Sequence, residues 1–131
     1  MFAAIEVARA LGAKITVHEE DLVLVIDASE LTGYDLPERL TSLFRASVLF
    51  LAPVLTRMGK TTIAMVGGCK LGRRGLDFHY RGFARLGAHI SEDEQRIALH
   101  YPEAPQGTYL YLDTPSHTGT ENLMMSRGSS I

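Results

Sequence analysis

The residue types best suited to chemistry gather in Gly67-Gly68-Cys69-Lys70-Leu71-Gly72-Arg73-Arg74-Gly75, where the sole cysteine of the chain stands among cations. Thiolate is the reactive form of cysteine, and nearby Lys or Arg charge favours it. A thiol beside Lys70, Arg73 and Arg74 therefore ionises more readily than a free one. Glycines let backbone N–H groups come close to an anion, and arginine grips phosphate or carboxylate with a planar fork of donors. The segment reads as a reactive thiol beside an anion site. The plainer reading is a small buried hydrophobe in a solvated basic loop.

Any such anion site must be local. With 13 basic against 15 acidic residues and a net charge of −2, the chain has no global attraction to nucleic acid or to an anionic membrane. Its 131 residues suffice for one domain with a real core, and 46% hydrophobic with 21% charged residues is ordinary globular composition. One cysteine forms no internal disulfide, which fits a reducing compartment. Met1 to Ala13 is alanine-rich but lacks a basic n-region, and Glu6 and Arg9 interrupt it. The most apolar run, Ala46 to Leu55, contains Ser47 and Pro53 and falls well short of the roughly 20 residues that span a bilayer. These features point to a cytoplasmic protein with no membrane partner. The histidines at 18, 79, 89, 100 and 117 lack metal-ligand spacing, so neither a metal nor another cofactor is expected.

The elements that must position the loop follow from periodicity. Phe2, Ile5, Val7, Ala8 and Leu11 recur at mostly helical spacing before Gly12, a natural helix stop. Strand-like runs at Lys14–His18 and Leu22–Asp27 flank the acidic turn Glu19-Glu20-Asp21. A second helix is expected from about Asp35–Pro37 to Met58, kinked at Pro53 and ended by Gly59. A strand at Thr61–Val66 then leads into the Cys69 loop. Beyond it the pattern predicts a helix over Leu76–Leu86, strands near His89–Ser91, Arg96–Tyr101 and Thr108–Leu112, and a helix from near Thr120. His79 reads as a packing or hydrogen-bonding residue, Met124 and Met125 as core, and Asp77 as either a capping carboxylate or a ligand contact. Gly59-Lys60-Thr61 mimics the end of a P-loop, but Val54 stands where its leading glycine is required.

Leu11-Gly12-Ala13-Lys14-Ile15 returns 75 positions later as Leu86-Gly87-Ala88-His89-Ile90. The expected unit is a helix, a β-hairpin, a crossing to another helix and a further strand. Gly128-Ser129-Ser130-Ile131 follows the similar run at Gly59 by only 69 positions. The expected organisation is thus a partial domain over 1–131: the end of one repeat, one complete repeat and the start of a third.

Four separated runs carry a family resemblance: Phe44-Arg45-Ala46-Ser47, the loop from Gly67 through His79, Leu86-Gly87-Ala88, and Pro115-Ser116-His117-Thr118-Gly119-Thr120-Glu121-Asn122-Leu123-Met124. In that order they resemble the enolpyruvate transferases, and most closely the branch that acts on a nucleotide sugar in peptidoglycan synthesis. The resemblance implies an α/β (α+β) fold of repeated βαβαββ units, the inside-out α/β barrel, here an incomplete first domain. It implies transfer of the enolpyruvyl group of phosphoenolpyruvate to the 3′-hydroxyl of UDP-N-acetylglucosamine, with release of phosphate. Such a reaction needs an acid for the terminal enol carbon and cations for the phosphate and carboxylate. By resemblance Cys69 is the proton donor and can form an adduct with phosphoenolpyruvate. Arg74 grips phosphate, Gly75, Leu76, Asp77 and Phe78 hold the nucleotide sugar, and Arg45 lies on that ligand's side. Thr114, Pro115, Ser116 and His117 line the uridine pocket.

The chain departs from the family pattern at Val66 and Gly75, each in place of a usual proline, and at His117-Thr118-Gly119 in place of Val-Gly-Ala. The family's early Lys-Asn pair is not present, since Asn122 is the sole asparagine. The second domain that the resemblance implies, with a catalytic aspartate and a further arginine, is expected to lie outside these 131 residues. Two alternatives follow. One is a non-catalytic fragment or nucleotide-sugar-binding module. The other is the sister reaction on 3-phosphoshikimate, whose enzyme does not use a cysteine in this loop.

Overall fold

Two helices of this protein end in the same way, 75 positions apart. A computed structural model describes residues 2–42, 45–64, 76–93 and 95–126. Helix α1 (Phe2–Ala10) buries Ile5 and Val7, and Gly12 takes φ +102° just beyond it. The Gly12 N–H donates to the Arg9 carbonyl and the Ala13 N–H to that of Ala8. After the helix Asp77–Arg85, Gly87 takes φ +100°, and Gly87 and Ala88 donate to the carbonyls of Ala84 and Phe83. Left-handed glycine closes both helices by pairing carbonyls that would otherwise be orphaned.

A hairpin follows each stop. Strands β1 (Lys14–His18) and β2 (Val23–Asp27) pair antiparallel in a two-stranded ribbon, turning through Leu22 at φ +54°. The second hairpin belongs to a four-stranded sheet in the order β3-β4-β6-β5. Its strands are β3 (Asp35–Leu36), β4 (Lys60–Ala64), β5 (His89–Glu92) and β6 (Arg96–His100). β3 runs parallel to β4, with Leu36 opposite Ile63, while β4 and β5 each pair antiparallel with β6. Thr61 and Ile63 alternate inward on β4, as Ile97 and Leu99 do on β6.

The single kinked helix expected between Asp35 and Met58 is instead divided. Asp35–Leu36 is a strand because Pro37 disfavours helical geometry in the residue before it. Pro37 itself, at ψ 121°, caps the short helix α2 (Glu38–Thr41). A 3-10 segment (Arg45–Phe50) then feeds α3 (Leu51–Met58), which Gly59 ends at φ +73°. Pro53 lies in the first turn of α3, where a missing N–H costs nothing, so it starts a helix rather than kinking one. Lys60 and Thr61 lie in β4, which removes the P-loop reading, since that loop must lead into a helix. Lys60 Nζ instead sits 4.1 Å from the centre of the Tyr34 ring.

Helices α4 (Asp77–Arg85) and α5 (His117–Met125) cover the same core. α5 starts three residues before Thr120. Residues 108–112 form no strand, so the alternation there was not a strand signal. Met124 and Met125 are exposed rather than core, because Gly119, Asn122 and Leu123 form the buried stripe of α5. The core joins Leu11, Leu36, Leu51, Leu55, Phe83 and Leu99 across helices and sheet.

Candidate functional site

The residues expected to hold a nucleotide sugar fall at the starts of α4 and α5. Leu76 occupies the cap position of α4 and no side chain caps that end. Asp77 is the first helical residue, an exposed carboxylate favourably placed against the positive end of the helix, and not the capping group. Phe78 follows, half-buried.

At α5, Ser116 is the cap: its Oγ accepts from the Gly119 N–H at 3.1 Å, and its carbonyl accepts from the N–H and the hydroxyl of Thr120. Thr114, Pro115 and His117 are exposed around it. A serine three residues before Gly119 was a legible cap signal for this helix start.

Glycine lets the two helices approach. A β-carbon on Gly119 would lie 2.9 Å from Ser116 Oγ and 3.8 Å from Phe78 Cβ, which puts the two predicted segments side by side. One on Gly82 would fall 2.3 Å from a terminal methyl of Leu123. His79, Gly82 and Phe83 on α4 face Gly119, Asn122 and Leu123 on α5 with the same i, i+3, i+4 spacing. At the surface Arg81 Nη1 meets Asp113 Oδ2 at 2.7 Å, tying α4 to the stretch just before Thr114.

Beneath these starts lies a polar cluster that sequence reasoning missed, apart from His79 as a hydrogen-bonding residue. Asn122 is fully buried and His79 nearly so. Asn122 Oδ1 accepts from the Ala52 N–H at 3.1 Å, which satisfies an otherwise orphaned donor in the first turn of α3. Its Nδ2 donates to the Val48 carbonyl at 2.9 Å and faces His79 Nδ1 at 3.0 Å. These two backbone partners fix which end of the amide is oxygen. The second amide hydrogen must then go to His79 Nδ1, so that nitrogen is bare and the ring proton sits on Nε2. Nearby, burial raises the Tyr80 hydroxyl above the usual tyrosine range, with Glu92 and Asp77 adding to it.

Cys69, Arg74 and Gly75 lie outside the described residues. Arg45 opens the 3-10 segment that packs on α5, and its side chain lies outside them as well. Among the described residues no cluster of three His, Cys, Asp or Glu groups could hold a metal ion, and no helix is long and apolar enough to cross a membrane. His89 and His100 face each other across β5 and β6 with ring centres 5.1 Å apart.

This pairing of fold and sequence has known counterparts. Residues 2–129 match the EPSP synthase (3-phosphoshikimate 1-carboxyvinyltransferase) family, and the chain belongs to that family. The crystal structure of the enolpyruvyl transferase NikO from Streptomyces tendae superposes with a TM-score of 0.60 at 20% identity, covering 76% of this chain and 22% of that one. The mixed α/β architecture is therefore the enolpyruvate transferase fold. In sequence, the UDP-N-acetylglucosamine 1-carboxyvinyltransferase of Thermobifida fusca (strain YX) is 51% identical over 127 residues, 94% of this chain and 30% of that protein. UDP-N-acetylglucosamine 1-carboxyvinyltransferase 2 of Carboxydothermus hydrogenoformans is 40% identical over 126 residues, 96% of this chain and 29% of that protein. The chain thus spans under a third of the length of these relatives.

Proposed function

We propose that this chain is the part of a UDP-N-acetylglucosamine 1-carboxyvinyltransferase that supplies the thiol acid and part of the nucleotide-sugar site. The observation that carries the reading is the 51% identity to the Thermobifida fusca enzyme across almost the whole chain. The run Gly67-Gly68-Cys69 favours UDP-N-acetylglucosamine over 3-phosphoshikimate as acceptor, because the reaction on the latter does without a cysteine there.

In the proposed reaction the Cys69 thiol gives its proton to the terminal carbon of the enol of phosphoenolpyruvate. The 3′-hydroxyl oxygen of the sugar bonds to the adjacent carbon and loses its own proton. Phosphate then leaves with its electron pair as a proton departs from the terminal carbon, which restores the double bond in the product. Lys70, Arg73 and Arg74 suit this chemistry by stabilising the sulfur anion left when the thiol gives up its proton and by binding anions, Arg74 being assigned to phosphate. Arg45, Gly75, Leu76, Asp77 and Phe78 are assigned to the nucleotide sugar, and Thr114, Pro115, Ser116 and His117 to the uridine side. The adjacency of the α4 and α5 starts supports treating the last two groups as one surface. Repeated βαβαββ units, with the rest of the enzyme completing the site, remain the proposed organisation. The proposed place in the cell is the cytoplasm, at the first committed step of peptidoglycan synthesis, on which cell shape and division depend.

The test is phosphate release from phosphoenolpyruvate and UDP-N-acetylglucosamine by the complete gene product. Turnover is expected, with a loss of at least about a hundredfold in Cys69→Ala, as for removal of a general acid. No turnover, or turnover indifferent to Cys69→Ala, overturns the reading.

A further inference from the structure

We propose that His79 and Asn122 are positioning residues that hold the two nucleotide-sugar segments, Leu76–Phe78 and Thr114–His117, at a fixed separation so that they bind as one surface. This rests on the reading above, in which those segments contact the same ligand.

His79 sits one residue beyond Phe78 on α4, and Asn122 lies one turn and a half into α5 from the Ser116 cap. The 3.0 Å contact between their nitrogens therefore links the two helices close to both starts. Asn122 is itself pinned from a third direction, by the Ala52 N–H and the Val48 carbonyl, so α4 and α5 share one reference in the 3-10 segment and α3. Across the helix pair Gly82 faces the Leu123 side chain and Gly119 faces Phe78 Cβ, apolar atoms that limit how near the helices come. A hydrogen bond adds what packing lacks, a preferred direction that stops one helix sliding along the other. An arrangement of this kind acts on the ligand only through the segments it orients.

The test compares three forms of the complete gene product: unaltered, His79→Leu and His79→Asn. His79→Leu spares both backbone bonds of Asn122 and leaves one of its amide hydrogens unpaired, a smaller loss than in Asn122→Leu, which would orphan the Ala52 N–H and the Val48 carbonyl. It is expected to raise KM for UDP-N-acetylglucosamine about tenfold while kcat and the KM for phosphoenolpyruvate stay within about twofold. Asparagine places an oxygen acceptor near the position of Nδ1, so His79→Asn is expected to recover most of the loss. A purely structural role would lower Tm and the active fraction but leave KM unmoved. An unchanged nucleotide-sugar KM in His79→Leu, with the unaltered protein active, overturns the positioning role alone. An unaltered protein that fails to turn over overturns the underlying reading and this proposal with it.

Discussion

The β1–β2 and β5–β6 hairpins are built alike and treated differently by the fold. Each follows a helix ended by Leu-Gly-Ala with glycine near φ +100°. In each, one face of the ribbon carries cross-strand apolar residues: Ile15 opposite Ile26 and Val17 opposite Leu24 in the first, Ile90 opposite Leu99 in the second. Leu99 is 1% exposed, whereas Ile26 is 56% exposed. The difference lies in the neighbours. β6 has β4 at its other edge and turns Ile97 and Leu99 into the shared core, while among the described residues β2 pairs with β1 alone. A shared local pattern thus prescribes the ribbon and which face is apolar, and only tertiary neighbours turn that face into core.

Breaking the comparison should be easiest in the core. Leu99→Ala is expected to destabilise the protein by about 2–5 kcal/mol, and Ile26→Ala by less than about 1 kcal/mol, in urea unfolding monitored by circular dichroism. Similar losses at both sites would mean that the first ribbon is covered in solution.

The two glycines sharpen it next. A β-carbon at Gly12 would lie 2.7 Å from Thr32 Oγ1 and 2.9 Å from Thr32 N, while one at Gly87 would meet nothing within 4 Å. Gly87→Ala is therefore expected to cost about 1–2 kcal/mol from backbone strain alone, and Gly12→Ala about 1 kcal/mol more. Thermal melts of the two variants check the order, and equal losses would show that the return of the chain past Gly12 yields freely.

The smallest effect should come from a carboxylate at the exit of the first hairpin and one in the turn of the second. The Asp27 carboxylate accepts from the hydroxyl and backbone N–H of Ser29, and that of Asp93 from the backbone of Gln95 and Arg96. These bonds hold both pKa values below the usual 3.8. Because the folded pKa is the lower one, the contribution is whole above the unfolded value and is lost as pH falls through the folded value. Carboxyl NMR titrations should give midpoints under 3.8 at both positions, and a midpoint at or above it would show that the bonds to that carboxylate do not hold in solution.

What the sequence disclosed tracks how local each determinant is. Gly12, Gly59 and Gly87 announced three helix ends, since a left-handed residue is required within one turn of the stop. Pro53 misled, because proline suits a first turn as well as a kink, and the strand at Asp35–Leu36 depends on Leu36 finding β4 as a partner. Tyr109 to Leu112 carry strand-forming residues, but among the described residues no strand pairs with them. At the candidate site, Ser116 was expected only as a ligand contact implied by the resemblance, and its capping of α5 came from the structure. The Asn122 cluster was not readable, because its partners lie 43, 70 and 74 positions away.

Those separations also set an order of events during synthesis. The first turn of α3 emerges from the ribosome with its Ala52 N–H unanswered and stays so while some 70 further residues are made. Non-local closure of this kind is slow and comes after local helices and hairpins have formed. The ribbons and helices can therefore take shape as they appear, but the face formed by α4 and α5 gains its register only when α5 arrives. A ribosome stalled before residue 122 would hold a chain with most of its elements and none of the registration between its two helix starts.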